Sequence, residues 1–340
     1  MPPLSSAPAT AFTSALEEWF RVHQRDLPWR RTTDPYAILV SEVMLQQTQI
    51  QTVLDRGYYT RWMAQFPDFA SVAQASEKEL LKAWEGLGYY RRARSLQRLC
   101  QVILSDHGGV MPQDPAAIRQ LPGVGPYTAG AIASFAFNLP EPLVDGNVAR
   151  VLTRLGDNAT PIDEAQGRAW LWHTATTLVR AAAQPRHLNA ALMELGQLHC
   201  RPGQPDCAAC PVSQLCRTRR PGDLPVKKPP AALTDLTEHA ALYLQGGKIL
   251  LQQETGSRRT GLWRLPLLED APASAPALLR TRYGITRYRV TLWVHQPPGP
   301  APALGTWVSP DELAHLPMPS PYRRALEAAL RAAGDFQLEG

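Results

Sequence analysis

Lysine is nearly missing from this chain of 340 residues: Lys78, Lys82, Lys227, Lys228 and Lys248 stand against thirty arginines. The whole stretch 83–226 therefore offers no side-chain amine as a nucleophile. Positive charge rests on guanidinium groups, whose planar fork suits phosphate, and the net charge is +5. A codon bias toward arginine and proline accounts for the same composition, so charge alone leaves a nucleic-acid partner open. Long apolar runs are also absent. Nothing approaches the roughly eighteen consecutive apolar residues of a membrane-spanning helix. The opening MPPLSSAPATAF has neither a basic start nor an apolar stretch, so no secretory signal is expected and the protein is expected to be cytoplasmic. No internal repeat is present.

Cysteine is sparse and unevenly placed. Cys100 stands alone, whereas Cys200, Cys207, Cys210 and Cys216 fall within seventeen residues. In an intracellular chain such a cluster points to metal rather than to disulfides. The spacing is C-x6-C-x2-C-x5-C, with only one C-x2-C knuckle where a zinc ribbon pairs two. Four thiolates in one compact loop can also wrap an iron–sulfur cube. Spacing leaves both metals, and a purely structural staple, open. Arg201, Arg217, Arg219 and Arg220 flank the loop, where they could meet phosphates.

Along the chain, ALEEWFRVH, PYAILVSEVMLQQTQ, EKELLKAWEGL, RRARSLQRLCQVIL, NVARVLTRL and NAALMELGQL carry helical spacing. Gly-, Pro- and Asp-rich turns separate them. This predicts a mainly helical region over 8–220. RRPGDLPVKKPPAALTD reads as an extended linker around 221–236. Beyond it ALYLQ, KILLQQE, GLWRLPLLE and RYRVTLWVHQ read as strands. Helices are expected at 276–282 and 321–333, which makes 237–338 a second, α+β region.

LPGVGPYTAGAI, residues 121–132, places Gly123 and Gly125 before Pro126 and a helical run, with PAAIRQ helical ahead of them. Proline suits a first helical turn, and the free N–H groups of that turn form an anion site. Helix, glycine turn, helix is the arrangement that grips a DNA backbone without reading sequence; an ordinary tight turn has the same pattern. A phosphate grip carries no chemistry.

Two carboxyls stand out as candidates for that chemistry. Glu42 has Ile38, Leu39, Leu45 and Gln46 as helical neighbours. Loss of solvation there raises a carboxyl pKa and makes a general acid, unless a local hydrogen bond compensates. Asp145 precedes the stripe Val148, Val151, Leu152 and Leu155, either as a helix N-cap or as an anion at the mouth of a cleft. One acidic and one anionic carboxyl are the apparatus for cleaving a glycosidic bond. On duplex DNA the leaving group would be a base, flipped from the stack first.

LPWR (27–30), DPYAILVSEVMLQQTQ (34–49), WEGLGYYRRAR (84–94), LPGVGPYTAGAI, VDGNVARVL (144–152) and the four-cysteine loop together resemble the MutY-type adenine DNA glycosylases of the endonuclease III, helix-hairpin-helix superfamily. The resemblance implies a monomeric enzyme that acts on duplex DNA and removes adenine opposite 8-oxoguanine or guanine. It also implies a [4Fe–4S] cluster on the four cysteines. By the same resemblance Glu42 matches the acid that protonates adenine at N7, Asp145 the carboxylate that stabilises the sugar cation, and Asn147 a water-positioning amide. Arg30 matches a residue of the adenine pocket. Gln47 and Tyr89, with Leu87, match residues that wedge near the flipped site, and Gly123 and Gly125 match the backbone clamp. Tyr127 occupies the place where strand-cutting relatives carry lysine. A phenol cannot form their Schiff base, so base release without an efficient lyase step is expected. A thymine-mismatch or oxidised-pyrimidine glycosylase of the same superfamily is the alternative.

GLWRLPLLED (261–270) resembles a stretch of the Nudix-like C-terminal domain of these enzymes, which inspects the base opposite the adenine. APALLRTRYGI lacks the glutamates that hold Mg²⁺ in a working Nudix hydrolase, so pyrophosphatase activity is not expected. The family's Phe-Ser-His loop is matched here to Tyr288, Arg289 and Val290. This departure keeps the aromatic residue and loses the serine and histidine, so looser discrimination for 8-oxoguanine is expected.

Overall fold

The computed structural model describes residues 6–229, 232–256, 259–272 and 275–334. Pro230 and Ala231 of the expected linker, and residues 335–338 of the expected second region, lie outside the described residues. The first part of the chain is helical: α1 Ser6–His23, α2 Pro35–Leu45, α3 Ile50–Asp55, α4 Tyr58–Gln65, α5 Phe69–Gln74, α6 Glu77–Ala83, α7 Arg91–His107, α8 Pro115–Gln120, α9 Pro126–Phe135, α10 Gly146–Gly156, α11 Ala165–Ala181 and α12 Pro185–Leu198. No helix among the described residues is long and apolar enough to cross a membrane.

By contact the chain divides into two compact units. The first is Met1–Ile50, Phe66–Ala73 and Arg98–Pro229; the second is Gln51–Gln65, Gln74–Gln97 and Pro230–Gly340. In the first unit, Phe12, Leu16 and Phe20 recur every four residues on α1 and meet Leu188, Leu192 and Leu195 of α12, all buried. The predicted stripe of α10 joins the same core, with Val148, Val151, Leu152 and Leu155 each 3% exposed or less. Burying a side chain of this size stabilises by roughly 2 kcal/mol. The helices start where the sequence places caps. Asp34 accepts from the Tyr36 and Ala37 amides ahead of Pro35, and Asp114 accepts from the Ala117 amide ahead of Pro115. Residues 46–49 do not continue α2 as their spacing predicts. The helix stops at Leu45, and Gln47 turns into the left-handed region with φ 59°.

The second unit carries strands β1 Thr234–Ala241, β2 Leu244–Gln245, β3 Lys248–Gln253, β4 Trp263–Arg264, β5 Leu267–Leu268, β6 Ala277–Ile285, β7 Tyr288–His295 and β8 Thr306–Val308, then α13 Pro310–Ala314 and α14 Ser320–Ala333. One sheet runs β5-β1-β7-β6, with β1 and β7 parallel and β6 and β7 antiparallel. β3 pairs with β2, β4 and β8. Pro266 separates β4 from β5 and breaks the single strand expected over GLWRLPLLE.

The helix expected at 276–282 is not there. That segment is strand β6, paired with β7 from Leu279↔Val294 to Ile285↔Tyr288. Its burial alternates, with Leu279, Thr281, Tyr283 and Ile285 on the half-buried side and Arg280, Arg282 and Gly284 exposed. Period two, β-branched and aromatic residues, and a partner strand outweigh the local Ala-Leu-Leu helix signal. α14 appears as expected, with Tyr322, Ala325, Leu326, Ala329 and Leu330 in the core.

Candidate active site

Glu42 sits in the middle of α2, on a helix so apolar that nine of its residues are buried. Its own exposure is 4%. Loss of hydration pushes its carboxyl up to about 7, against a pull downward from one hydrogen bond and a further push from the Asp145 charge. That bond comes from another helix: the Tyr127 hydroxyl of α9 donates to Glu42 Oε2 at 2.8 Å. Burial, then the Glu42 and Asp145 charges, raise the phenol itself well above its ordinary range. Tyr127 therefore stays a neutral donor. Glu42 lines a cavity of about 220 Å³ together with Trp29, Arg30, Phe135, His187 and Gln197.

Asp145 caps α10, as its place before the helix predicts. Its Oδ1 accepts from the Val148 amide at 2.7 Å, and its Oδ2 accepts from Asn147 Nδ2 at 2.8 Å. The N-cap and the candidate catalytic anion are thus the same group. A helix N-terminus favours negative charge, so the cap suits an ionised Asp145. Asn147 is itself fixed, since its Oδ1 accepts from Arg150 Nη2 at 2.8 Å. The same Nη2 donates to the Gly196 carbonyl at 2.6 Å, and Arg150 Nε donates to the Cys200 carbonyl at 2.7 Å. Gly196 is required here, because a Cβ would lie 2.7 Å from Asn147 Cβ. A larger residue would push α12 off α10.

Arg30 lies at the cavity wall, and what holds it there was not foreseen from the sequence. Glu194 of α12, with 0% exposure, accepts from Arg30 Nη2 at 2.7 Å and from Arg25 Nε and Nη2 at 2.7 and 2.8 Å. Burial alone would raise the Glu194 pKa, but the bonds from Arg25 and Arg30 outweigh it and hold the carboxyl at about 2. Arg25 also donates to Gln197 Oε1. A glutamate on an apolar helix stripe with arginines more than 160 residues earlier was the signal available. Only the fold brings them together.

In the hairpin, Gly123 has φ 76°, which a residue with a side chain resists, and Gly125 forms the N-cap of α9. With Pro126 at the first turn, the early N–H groups of α9 lack intrahelical partners. Gln47 is exposed at its φ of 59°. In the second unit Tyr89 is 38% exposed with φ 47°. Both candidate wedge residues thus hold a backbone conformation that costs on the order of 1 kcal/mol. Leu87 is 6% exposed, and its carbonyl accepts from Arg92 Nη2 at 2.8 Å. Leu87 and Tyr89 line a cavity of about 500 Å³ with Arg91, Arg259, Tyr283 and Thr286. The residues matched to the Phe-Ser-His loop do not form a loop. Tyr288, Arg289 and Val290 begin β7, and Val290 is buried. The turn is Thr286–Arg287, and Thr286 reaches the cavity.

The four clustered cysteines are free thiols, as is Cys100. Burial, the largest cause, lifts Cys210 to about 11, and the charges of Cys200, Cys216 and Cys207 add to it. Cys216 is raised by burial in the same way and by Cys200 and Cys207. The four thiols therefore lie near enough to act on one another electrostatically. Arg154, 2% exposed, donates to Cys200 Sγ at 3.4 Å, and its carbonyl accepts from Cys216 Sγ at 3.4 Å. No three His, Cys, Asp or Glu side chains among the described residues are gathered as ligands of one metal ion. A donor set made only of thiols on one loop, beside a buried guanidinium, fits a thiolate-bound cluster, whose sulfurs stand farther apart than those around one ion.

The family model for HhH-GPD superfamily base excision DNA repair proteins matches residues 40–172. That span includes Glu42, the hairpin, Asp145 and Asn147. The chain is 38% identical over 236 residues to the adenine DNA glycosylase of Mycobacterium tuberculosis, covering 67% of this chain and 74% of that one. The chain belongs to the adenine DNA glycosylase family. It is 45% identical over 223 residues to the human adenine DNA glycosylase, covering 63% of this chain and 40% of the human one. It thus spans about two fifths of that relative. Among solved structures, a thermostable thymine-DNA glycosylase matches with TM-score 0.56 and 32% identity over 62% of this chain and 95% of its own. An endonuclease III trapped as a covalent intermediate with DNA matches with TM-score 0.52 and 25% identity, over 63% and 96%.

Proposed function

We propose that the protein is a monofunctional DNA glycosylase of base excision repair, which hydrolyses the N-glycosidic bond of adenine mispaired with 8-oxoguanine or guanine in duplex DNA. The observation that carries this reading is Glu42, a carboxyl held at about 7 in a cavity that suits one purine, close enough to Asp145 to feel its charge. The flipped adenine enters that cavity. Glu42 donates its proton to the adenine ring, the bond from C1′ to N9 breaks, and the base leaves neutral. Asp145, ionised and capped onto α10, stabilises the sugar cation until water adds at C1′ and gives its proton to the carboxylate left on Glu42. Asn147 holds the Asp145 carboxylate in place. Tyr127 supports Glu42 and forms no imine, and the absence of lysine from 83 to 226 leaves no substitute nearby in the chain. Base release without a lyase step follows.

The hairpin glycines and the start of α9 would grip the backbone of the DNA, and Gln47 and Tyr89 would fill the gap left by the flipped base. We assign reading of the opposite base to the C-terminal α+β region, which we take as Nudix-like on its GLWRLP stretch. The cavity beside Leu87, Tyr89 and Thr286 supports that assignment. Cys200, Cys207, Cys210 and Cys216 would hold a [4Fe–4S] cluster, which when bound would cross-link the loop that carries the Cys200 carbonyl to Arg150. Broad visible absorbance in the purified protein supports the cluster, and colourless protein with bound zinc overturns it.

Duplexes with A:8-oxoguanine, A:G, A:C and T:G test the function. Free adenine from the first two, with the strand intact until alkali is added, is the expected outcome. Folded protein that releases no adenine from either overturns the proposal. Release of thymine from T:G instead supports the second reading, to which the likeness to a thymine-DNA glycosylase gives weight.

A further inference from the structure

α12 presents Arg186, His187, Ala190, Met193 and Gln197 to the cavity that holds Glu42. Arg186, His187 and Gln197 can hydrogen-bond through their side chains, and the orientation of Gln197 is determined. Arg25 donates to the amide oxygen. A guanidinium has no acceptor, so the oxygen must be the atom that faces it. Arg25 cannot swing away, because Glu194 takes its Nε, its Nη2 and its backbone amide. The amide nitrogen of Gln197 is left as a donor with no protein acceptor among the described residues. Glu42 is a second donor to the same space once protonated. Arg30 adds a third group that can only donate.

Beside side chains such as His187 and Ser41 that can also accept, these three donors suit a base whose ring edges carry lone pairs. Adenine offers unprotonated nitrogens in both rings, whereas guanine carries N–H at N1. We infer that Gln197 is a specificity residue: its amide N–H donates to an unprotonated nitrogen of the six-membered ring of the flipped adenine, while Glu42 serves the five-membered ring. The inference rests on the adenine reading and adds to it the group that reads the second ring. Glu194 and Arg25 act through Gln197 as positioning residues. Nothing in the local pattern marks Gln197, which follows Gly196 near the end of an ordinary amphipathic helix.

Single-turnover base release by wild type, Q197A and Q197M tests it, on duplexes that carry adenine, 1-deazaadenine or 3-deazaadenine opposite 8-oxoguanine. Loss of one neutral hydrogen bond lowers a rate about tenfold. Both variants should lose about that much on adenine, and one of the two analogues should show no further loss when Gln197 is replaced. This non-additivity cancels the intrinsic reactivity of each analogue, and a general structural defect would not produce it. Equal losses from the substitution on all three bases overturn the inference, as does full activity of both variants on adenine. Wild type that releases no adenine overturns the function and this inference together. Wild type that is active without the coupling overturns this inference alone.

Discussion

Glu42 in the middle of α2 and Glu194 in the middle of α12 are both buried, at 4% and 0% exposure, yet they are driven in opposite directions. Glu42 rises to about 7 and Glu194 falls to about 2. Burial favours the neutral form of each. Glu42 receives one neutral phenol, which is too little to offset desolvation, and Asp145 adds a like charge. Glu194 receives two guanidinium groups and a backbone amide, which is more than enough. Burial alone does not say whether a carboxyl is an acid or a structural anion; its partners do. In the proposed mechanism the first is the proton source, whereas the second holds Arg25 and Arg30, and through Arg25 the side chain of Gln197.

The comparison breaks most visibly in catalysis. Glu42→Gln and Asp145→Asn should each slow adenine release on the order of 10³-fold, measured under single turnover; near-wild-type rates in either variant would remove that residue from the mechanism. The rate itself should fall as pH rises through about 7, where Glu42 loses its proton. Next in size is Glu194→Ala. It leaves Arg25 and Arg30 without their shared anion and should destabilise the protein by roughly 3 kcal/mol, read from urea unfolding at neutral pH. A loss below half of that would mean that water replaces the carboxylate easily.

The two glutamates should also differ in their pH dependence of stability. Glu194 is lowered in the folded state, so its contribution is present above the ordinary value of 4.5 and lost as pH falls through about 2. Glu42 is raised, so its contribution is complete below 4.5 and lost as pH rises through about 7. Glu42→Gln should therefore gain on wild type by on the order of 2 kcal/mol at pH 8 and show no such gain at pH 4. A gain that does not change with pH would contradict the shift. The smallest effect is expected from Tyr127→Phe. The lost hydrogen bond had lowered the Glu42 pKa, so the alkaline limb of the rate should move upward by about one pH unit. A downward move would show that the phenol stabilises the protonated acid instead.

Much of the first unit is legible in the sequence because its determinants are local. Asp34-Pro35, Asp114-Pro115 and Asp145 cap helices where short polar residues precede apolar spacing, and Gly123 with Pro126 marks the hairpin. The isolation of Glu42 follows from its helical neighbours. What sequence reading missed depends on partners far along the chain. Ala-Leu-Leu at 277–279 reads as helix until β7 supplies a ladder for it. The turn that reaches the second-unit cavity lies at Thr286, two residues before Tyr288, because the strand pairing and not the local residue pattern sets where the turn falls.

By itself the sequence determined where helices begin, which carboxyl would be desolvated, which thiols are neighbours and that no lysine stands near the hairpin, because each depends on residues a few positions apart. Only the tertiary structure decided that Tyr127 reaches Glu42 across 85 positions, that Arg25 and Arg30 converge on Glu194, and that Gly196 admits Asn147 against α12. Hydrogen bonds and charge pairs act over a few ångströms, and the chain brings such distant groups that close only when its core packs.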